Sequence, residues 1–469
     1  MKLNLKVLAK ILSMLTVISG IALLPCSIYA HIDGNGLECA NFLVLGSIYI
    51  VTGVFVFLSV RHYNFELKPH EGYFIACMSW VFCSIIGAVP FIISGEGYSL
   101  IGSFFESAAG FTTTGCSVFD INTMPRALLL WRSIMNWIGG MGILVLLTSV
   151  FPALGISGQS IASVETTGPS LQKVGTKFSD TGKFLYLTYL ALTCLEFVFL
   201  SFKLETFDAL INTFSSISTG GLFIRDIASM PFETTYVRLV ITIFTLLSSI
   251  NYTLYFLIVR GKWKVALKNY EMRVFLIIVA IATILLSLSL VVANVYDNPL
   301  IALRDGFFQV VSFISTSGYF IADYTAWPSF TLVLLFSLLF IGGCSMSTTG
   351  SLKVTRIVTL FKIGKRGVYK LIHPSSVKAI VIDGKPVPAK TVSDITTHIL
   401  LFFFMLVIGC LALATSNLDM DITITTVLGI FTNTGLALGQ AGIRGYFGDF
   451  NTFSQLFMCF LMIAGRLEM

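Results

Sequence analysis

Four hydroxyl-x-x-glycine units recur along the chain in a register that suits coordination of a cation by backbone carbonyls. Aligned without gaps they read FFESAAGFTTTGCSVFD, ending at Asp120; LINTFSSISTGGLFIRD, ending at Asp226; FFQVVSFISTSGYFIAD, ending at Asp323; and ITTVLGIFTNTGLALGQ, ending at Gln440. The aligned glycines, Gly115, Gly221, Gly318 and Gly435, are separated by 106, 97 and 117 residues. Three positions earlier stand Thr112, Ser218, Ser315 and Thr432, and one further back Phe111, Ile217, Ile314 and Phe431. A half-helix that stops inside a membrane and returns as extended chain can aim carbonyls at a common axis, where they replace the water shell of a dehydrated cation. Glycine permits a positive φ and leaves the path clear. Serine and threonine can bond re-entrant backbone that apolar surroundings would leave unsatisfied. The candidate coordinating residues are therefore Thr113, Thr114 and Gly115; Thr219, Gly220 and Gly221; Thr316, Ser317 and Gly318; and Asn433, Thr434 and Gly435. Four helix–turn–helix corners capped by hydroxyls are the plainer alternative, and they do not require the shared register.

Such units need membrane-spanning helices to hold them, and the composition supplies them. Of 469 residues, 55% are apolar and 12% charged, and the mean hydropathy is +0.87. A soluble domain carries about 25% charged residues, so the composition is that of an integral membrane protein rather than a nucleic-acid binder or a secreted disulfide scaffold. Runs able to span a bilayer lie near 8–30, 41–60, 73–93, 127–152, 183–201, 234–259, 273–293, 328–360, 395–414 and 452–469. Shorter apolar stretches begin near Ser99, Glu205, Asn298 and Asp419 and are too short to cross, as expected of re-entrant hairpins. Lys2, Lys6 and Lys10 precede the first run and Ala30 ends it, but its length and the large Ile28 favour a retained helix over a signal peptide. With the N-terminus inside, 23 Lys/Arg fall on the cytoplasmic side and 7 outside, as the positive-inside rule requires, and both termini are cytoplasmic. The outer side nets about −8, a field that attracts cations. The basic, Pro-containing stretch at 362–394 belongs on the cytoplasmic side, as a docking surface for a regulator.

The other chemistry-bearing residues are scattered. Nine cysteines form no CxxC pair; Cys26 and Cys39 could meet outside the membrane or stay free thiols. Five histidines do not cluster. Glu106, nine residues before Gly115, either holds its pore loop by hydrogen bonds or adds negative potential below the ring. Asp120, Asp226 and Asp323 could concentrate cations at the mouth, with Arg225 offsetting Asp226. Glu196 lies inside a span, where an ionisable group is expensive, as a proton-coupling group or a hydrogen-bonded neutral acid. The segment IGGCSMSTTGSLK (341–353) interrupts the eighth span after about Phe340 with two adjacent glycines and five hydroxyl residues. Gly-Gly is poor helix, and broken backbone at membrane depth is tolerated beside a water-filled pore.

The strings GFTTTGCSVF, ISTGGLF, SFISTSGYF, NWIGGMGILVL (136–146), ETTGPS (165–170), IGGCSMSTTGSLK and GRLE (465–468) together resemble the membrane subunit of the Trk/Ktr/HKT superfamily of potassium transporters, nearest its TrkH-like branch. The resemblance covers roughly residues 5–469. It implies an all-α polytopic membrane protein with four membrane–pore-loop–membrane repeats around one pore. An N-terminal helix pair (1–68) would precede repeats at 69–160, 161–262, 263–365 and 366–469, the third carrying an intramembrane gating loop. It further implies potassium uptake across the cytoplasmic (inner) membrane with K+ as the transported ion and no cofactor. A homodimer and a cytosolic, TrkA-like nucleotide-binding regulatory subunit are the implied partners. By the same resemblance Gly342, Gly343, Ser347, Thr348 and Gly350 belong to the gating loop, with Lys353 and Arg466 as basic residues near it. For Arg466 a snorkelling helix end stays open. Two departures stand out: the fourth filter, TNTGLALG, is the most divergent, and Met346, Thr349 and Ser351 replace glycines usual in the gating loop. Within the fold a sodium- or ammonium-preferring relative is the near alternative; plant members signal sodium preference by a serine at the first filter glycine, where this chain has Gly115. An intramembrane enzyme would have to rely on Glu196 and His398, and a non-conducting sensor or scaffold is the third class.

Overall fold

The computed structural model describes residues 5–61, 69–142, 178–221, 234–376, 379–382, 384–439 and 446–467. The apolar runs become helices whose starts are written in capping residues. The N-terminal pair is α1 (Leu5–Ile32) and α2 (Gly36–Val60), with the Asn35 side chain accepting from the Glu38 N–H at the turn. These two helices approach closely at small residues: a side chain at Gly20 would strike the Gly46 carbonyl, and one at Gly53 the Ser13 carbonyl. That is how helices associate where lipid removes the hydrophobic incentive. The first helix thus packs as part of the bundle, its buried face meeting Trp80 and Leu128 in one apolar core.

Each of the four units has the same helical plan, a helix, a short re-entrant helix and a second helix, with a returning strand described in full between the last two in the first and third. The first has α3 (Pro69–Ile93), α4 (Leu100–Phe111) and α5 (Arg126–Gly140). The second has α6 (Phe178–Ser201), α7 (Thr206–Ile217), then α8 (Thr235–Ser248) and α9 (Tyr252–Val259), followed by the short α10 (Trp263–Leu267). The third has α11 (Tyr270–Val292), α12 (Pro299–Ile314), α13 (Ser329–Leu338) and, after a non-helical segment, α14 (Val354–Ile372). A two-residue hairpin, β1 (Val381–Ile382) with β2 (Lys385–Pro386), precedes the fourth, which has α15 (Ala389–Leu413), α16 (Met420–Phe431) and α17 (Thr452–Arg466). The chain is a multi-pass, all-α membrane protein.

Two expected spans take a different form. The run at 234–259 is two helices bent by 91° at Ser249–Asn251. The carbonyls freed at that break accept from the 341–353 segment, Ser249 O from the Cys344 N–H (2.9 Å) and Ser248 O from Thr348 Oγ1 (3.3 Å). Asn251 then starts the next helix by accepting from the Thr253 N–H at 2.9 Å. The run at 328–360 is broken: its first helix has ten residues and ends at Leu338 rather than at Phe340, and helix resumes only at Val354. All nine cysteines are free thiols, so Cys26 and Cys39 are not bridged. Much of the 127–152 run, the 165–170 string, Arg225, Asp226 and Gln440 lie outside the described residues.

Candidate functional site

The four re-entrant helices end alike. In the first, the Thr113 N–H bonds Gly110 O (3.0 Å) and the Thr114 N–H bonds Ala109 O (2.9 Å). The pairs recur as Thr219 to Ser216 with Gly220 to Ser215, Thr316 to Phe313 with Ser317 to Ser312, and Asn433 to Ile430 with Thr434 to Gly429. This is the Schellman closure, which requires a left-handed residue just beyond the helix. That residue is Thr113, Thr219, Thr316 or Asn433, with φ of 57°, 55°, 57° and 56°. The sequence assigned positive φ to the glycines alone, and they have it as well, at 75°, 51°, 74° and 68°. Two left-handed residues flanking one extended residue turn the chain back on itself. Asparagine tolerates that region better than threonine, so the most divergent repeat keeps the shared backbone.

The four strands close a ring in chain order. A side chain added at Gly115 would collide with the Gly220 carbonyl oxygen, and one at Gly221 with that of Ser317. Gly318 stands likewise against the Thr434 carbonyl, and Gly435 against that of Thr114. Each glycine therefore meets the carbonyl of the residue before the glycine in the next repeat, and the fourth returns to the first. All twelve candidate coordinating residues are buried. Among the described residues their carbonyls accept no hydrogen bond. Buried carbonyls without a donor are costly, and carbonyls arranged in a ring have the chemistry to replace a cation's water shell.

In repeats one, three and four the returning strand is tied to its own re-entrant helix, with a different side chain in each. Glu106 accepts from the Val118 N–H (2.9 Å) and from Ser117 Oγ, and its second oxygen meets Arg132 Nε at 2.8 Å. Both residues are buried, so Glu106 is a support for the strand, with its charge compensated. In the third repeat Gln309 Nε2 donates to Tyr319 O at 3.3 Å, and in the fourth Thr425 Oγ1 accepts from the Leu438 N–H at 3.0 Å. Arg132 is a functional residue that the sequence reading passed over, although an arginine amid an apolar run is the signal that marks one. Asp120 and Asp323 are exposed, and each caps the turn after its strand, accepting from the Asn122 and Thr325 N–H groups at 3.0 Å.

The 341–353 segment lies against the end of this ring at which the re-entrant helices finish. Gly350 N donates to Thr316 Oγ1 (2.8 Å), and Thr219 Oγ1 meets Thr348 Oγ1 at 3.3 Å. A side chain at Gly350 would strike the Thr432 carbonyl of the fourth repeat. Arg466 Nη1 bonds Thr348 O (2.8 Å), while its Nη2 bonds Gly139 O and Gly140 O at 2.7 Å, which joins the segment to the first repeat. Arg466 therefore holds the loop and is not a snorkelling end. Lys353 is fully buried, and its ammonium donates to Thr349 O and to Thr349 Oγ1 (3.0 Å). Gly343 N–H donates to Thr349 Oγ1, and Ser347 Oγ donates to Cys344 O. The loop's ends meet, Gly342 N–H to Leu352 O at 2.7 Å. Met346 and Ser351, two of the three positions where the resemblance leads one to expect glycine, sit at φ 59°. Left-handed backbone at such residues stores about 1–3 kcal/mol each. Glu271, absent from the sequence expectations, accepts from Ser345 N (2.7 Å) and Ser345 Oγ (2.9 Å) and anchors the loop to α11.

Away from the ring, Glu196 accepts from Ser216 Oγ of α7 at 2.6 Å, and His398 Nε2 lies 3.0 Å from Arg356 Nη1. Glu196 thus belongs to the scaffold of the second repeat, and His398 to the α14–α15 contact.

Comparison with known proteins agrees with this architecture. A family model described as "TrkH: Cation transport protein" matches residues 39–469. The "Trk system potassium uptake protein TrkH" of Halomonas elongata is 32% identical over 477 residues, covering 99% of this chain and 97% of the relative. Its namesake in Escherichia coli K12 is 33% identical over 408 residues, 86% of this chain and 84% of the relative. The crystal structure of the potassium transporter TrkH from Vibrio parahaemolyticus superposes with a TM-score of 0.87 at 29% identity, covering 99% of this chain and 97% of that one.

Two substitutions probe the ring. Gly115→Ser places a side chain against the Gly220 carbonyl at a left-handed position. The expected outcome is a lower preference for potassium over sodium in a flux competition; unchanged selectivity would remove Gly115 from the site. Arg132→Met leaves Glu106 buried and uncompensated, a cost of about 3–5 kcal/mol. Thermal unfolding in detergent should show that loss, and adding Glu106→Gln should recover part of it. Equal melting of wild type and Arg132→Met would show that the pair supports nothing.

Proposed function

The chain belongs to the TrkH family of cation transport proteins, and on that premise we propose that it takes up potassium through the four-strand ring, with the 341–353 loop as gate. The closed cycle of glycine-to-carbonyl contacts carries this reading. Thr113–Gly115, Thr219–Gly221, Thr316–Gly318 and Asn433–Gly435 offer carbonyls in place of the ion's water. Carbonyls already held in place replace that water at little reorganisation cost, which favours entry, and several adjacent sites let one ion displace the next.

The gate follows from the loop's position. It bonds to repeats two and three and abuts repeat four under the ring, and Arg466 fastens it to repeat one. The buried ammonium of Lys353 and the guanidinium of Arg466 add positive charge there, which opposes cation passage while the loop lies across the path. Opening then means surrendering the Arg466 and Glu271 contacts together. The strain at Met346 and Ser351 lowers the cost of doing so. A cytosolic nucleotide-binding partner, TrkA-like in kind, would act on the segment that follows the loop, and the protein would work as a homodimer. The 23-to-7 bias of basic residues supports an inner-membrane location with both termini cytoplasmic.

Reconstitution of the chain alone tests the function: liposomes should take up rubidium or potassium in preference to sodium, and absence of flux would sink the reading. Deleting Gly342–Gly350 tests the gate. Because the loop's ends are within a hydrogen bond of each other, the excision leaves a gap that a peptide can close. Flux should rise and lose its dependence on the partner; a folded deletion that conducts no faster than wild type would place the gate elsewhere. For orientation, a cysteine at the exposed Lys370 should resist impermeant reagent applied to intact cells. Labelling from outside would invert the topology.

A further inference from the structure

The helix that leaves the gating loop has a surface the transport path does not use. Along α14 the exposed apolar residues Phe361 (76%), Val368 (61%), Leu371 (83%) and Ile372 (68%) are spaced by seven, three and one, which gathers them on one face of a helix. At about 3.6 residues per turn Lys365 borders that face, Lys362 lies to its side, and the exposed Arg366 and Lys370 fall toward the far side; α14 has no acidic residue. Next to Lys370 on that far side, Ile363 packs on the small core of Ile380, Ile382 and Val387 beside the hairpin. A neighbouring element repeats the composition. Trp263 (53%), Val265 and Leu267 of α10 are exposed, flanked by Lys262, Lys264 and Lys268. Lys362 Nζ of α14 lies 4.4 Å from the ring of Tyr270, which starts α11 three residues after α10 ends.

We propose that the apolar face of α14, with α10 beside it, lies in the membrane interface and binds the headgroups of anionic phospholipids. Charge complementarity argues for that occupant: bulky apolar side chains on a helix that also carries four lysines and arginines, and no acid, form the interfacial amphipathic pattern. Position argues for it too. The helix starts at Val354, whose N–H bonds Gly343 O of the gating loop, so its first turn is held at membrane depth and its exposed part emerges at the edge. Thr355 Oγ1 lies 3.2 Å from Ser345 Oγ, the group that Glu271 also holds. Seating α14 on anionic lipid therefore fixes the end of the loop, and loss of that seat frees it. The lipid site stands on the surface alone, whereas its effect on the gate rests on the proposed gating role.

The test uses the full chain in phosphatidylcholine vesicles with or without phosphatidylglycerol. A polarity-sensitive fluorophore on Val368→Cys, in a background freed of the native cysteines, reports seating. It should shift to shorter wavelength and be quenched by lipids brominated near the headgroup, more so with phosphatidylglycerol and less in high salt. With about 1 kcal/mol for each basic residue near an anionic surface, Lys365→Gln/Arg366→Gln/Lys370→Gln should weaken the response to phosphatidylglycerol at least tenfold. Potassium flux in wild type should follow the phosphatidylglycerol fraction, and the triple variant should lose that dependence. A probe quenched by aqueous iodide in every lipid would overturn the site. So would a fall to monomer mass in detergent on Leu371→Ser, which would assign the face to a second copy, or burial of the probe only when a cytosolic protein is added. Seating without any change in flux would overturn the link to the gate. Zero flux in all vesicles would count against the transport reading, while the fluorescence would still decide the site.

Discussion

Twelve buried backbone carbonyls that no donor among the described residues satisfies are the constraint to which the rest of the molecule answers. Left alone, such groups would recruit water or collapse onto neighbouring N–H groups. Three devices prevent this. The Schellman closures spend the first N–H groups after each helix on that helix's own carbonyls. Glycine in each repeat lets the next strand come into contact. Buried side chains then pin the returning strands of repeats one, three and four from behind, through Glu106 with Arg132, Gln309 and Thr425.

The same economy explains the helices around the ring. A side chain at Gly139 would strike the Phe111 carbonyl, and one at Gly465 the Phe431 carbonyl. The second helices of repeats one and four thus lie directly against the ends of their re-entrant helices. In repeat two the equivalent helix breaks at Ser249, and in repeat three it ends at Leu338. These two interruptions face each other through the loop: carbonyls freed at one break are capped by N–H groups freed at the other. Neither break would be affordable in lipid without its partner.

The loop is closely bonded yet poised. Its donors and acceptors are engaged with Ser248, Ser249, Glu271, Thr316 and Arg466, which gives it one defined position. Against that stand the left-handed backbones at Met346 and Ser351, where glycine would be free of strain. A segment held by many polar contacts and opposed by local strain is suited to two states rather than to continuous motion.

Much of this was legible in the sequence because it depends on spacing. The four glycines in register fixed the re-entrant units, the apolar runs fixed most spans, and the Gly-Gly at 342–343 marked the interrupted helix. Those signals are local: a helix needs a length of apolar chain, and a break needs poor helix formers. What depends on residues far apart was not legible. The left-handed turn at Thr113 and its counterparts is imposed by helix closure against threonine's own preference. Arg132 reads as an isolated cation until the fold sets it against Glu106. Arg466 reads equally as a snorkelling end until the carbonyls of Gly139, Gly140 and Thr348 converge on it from two repeats. The sequence alone determined that four units with an aligned glycine exist and where they lie along the chain. The tertiary structure alone decided that they close in cyclic order and what holds the 341–353 loop against them, because a ring and a latch are contacts between segments a hundred or more residues apart.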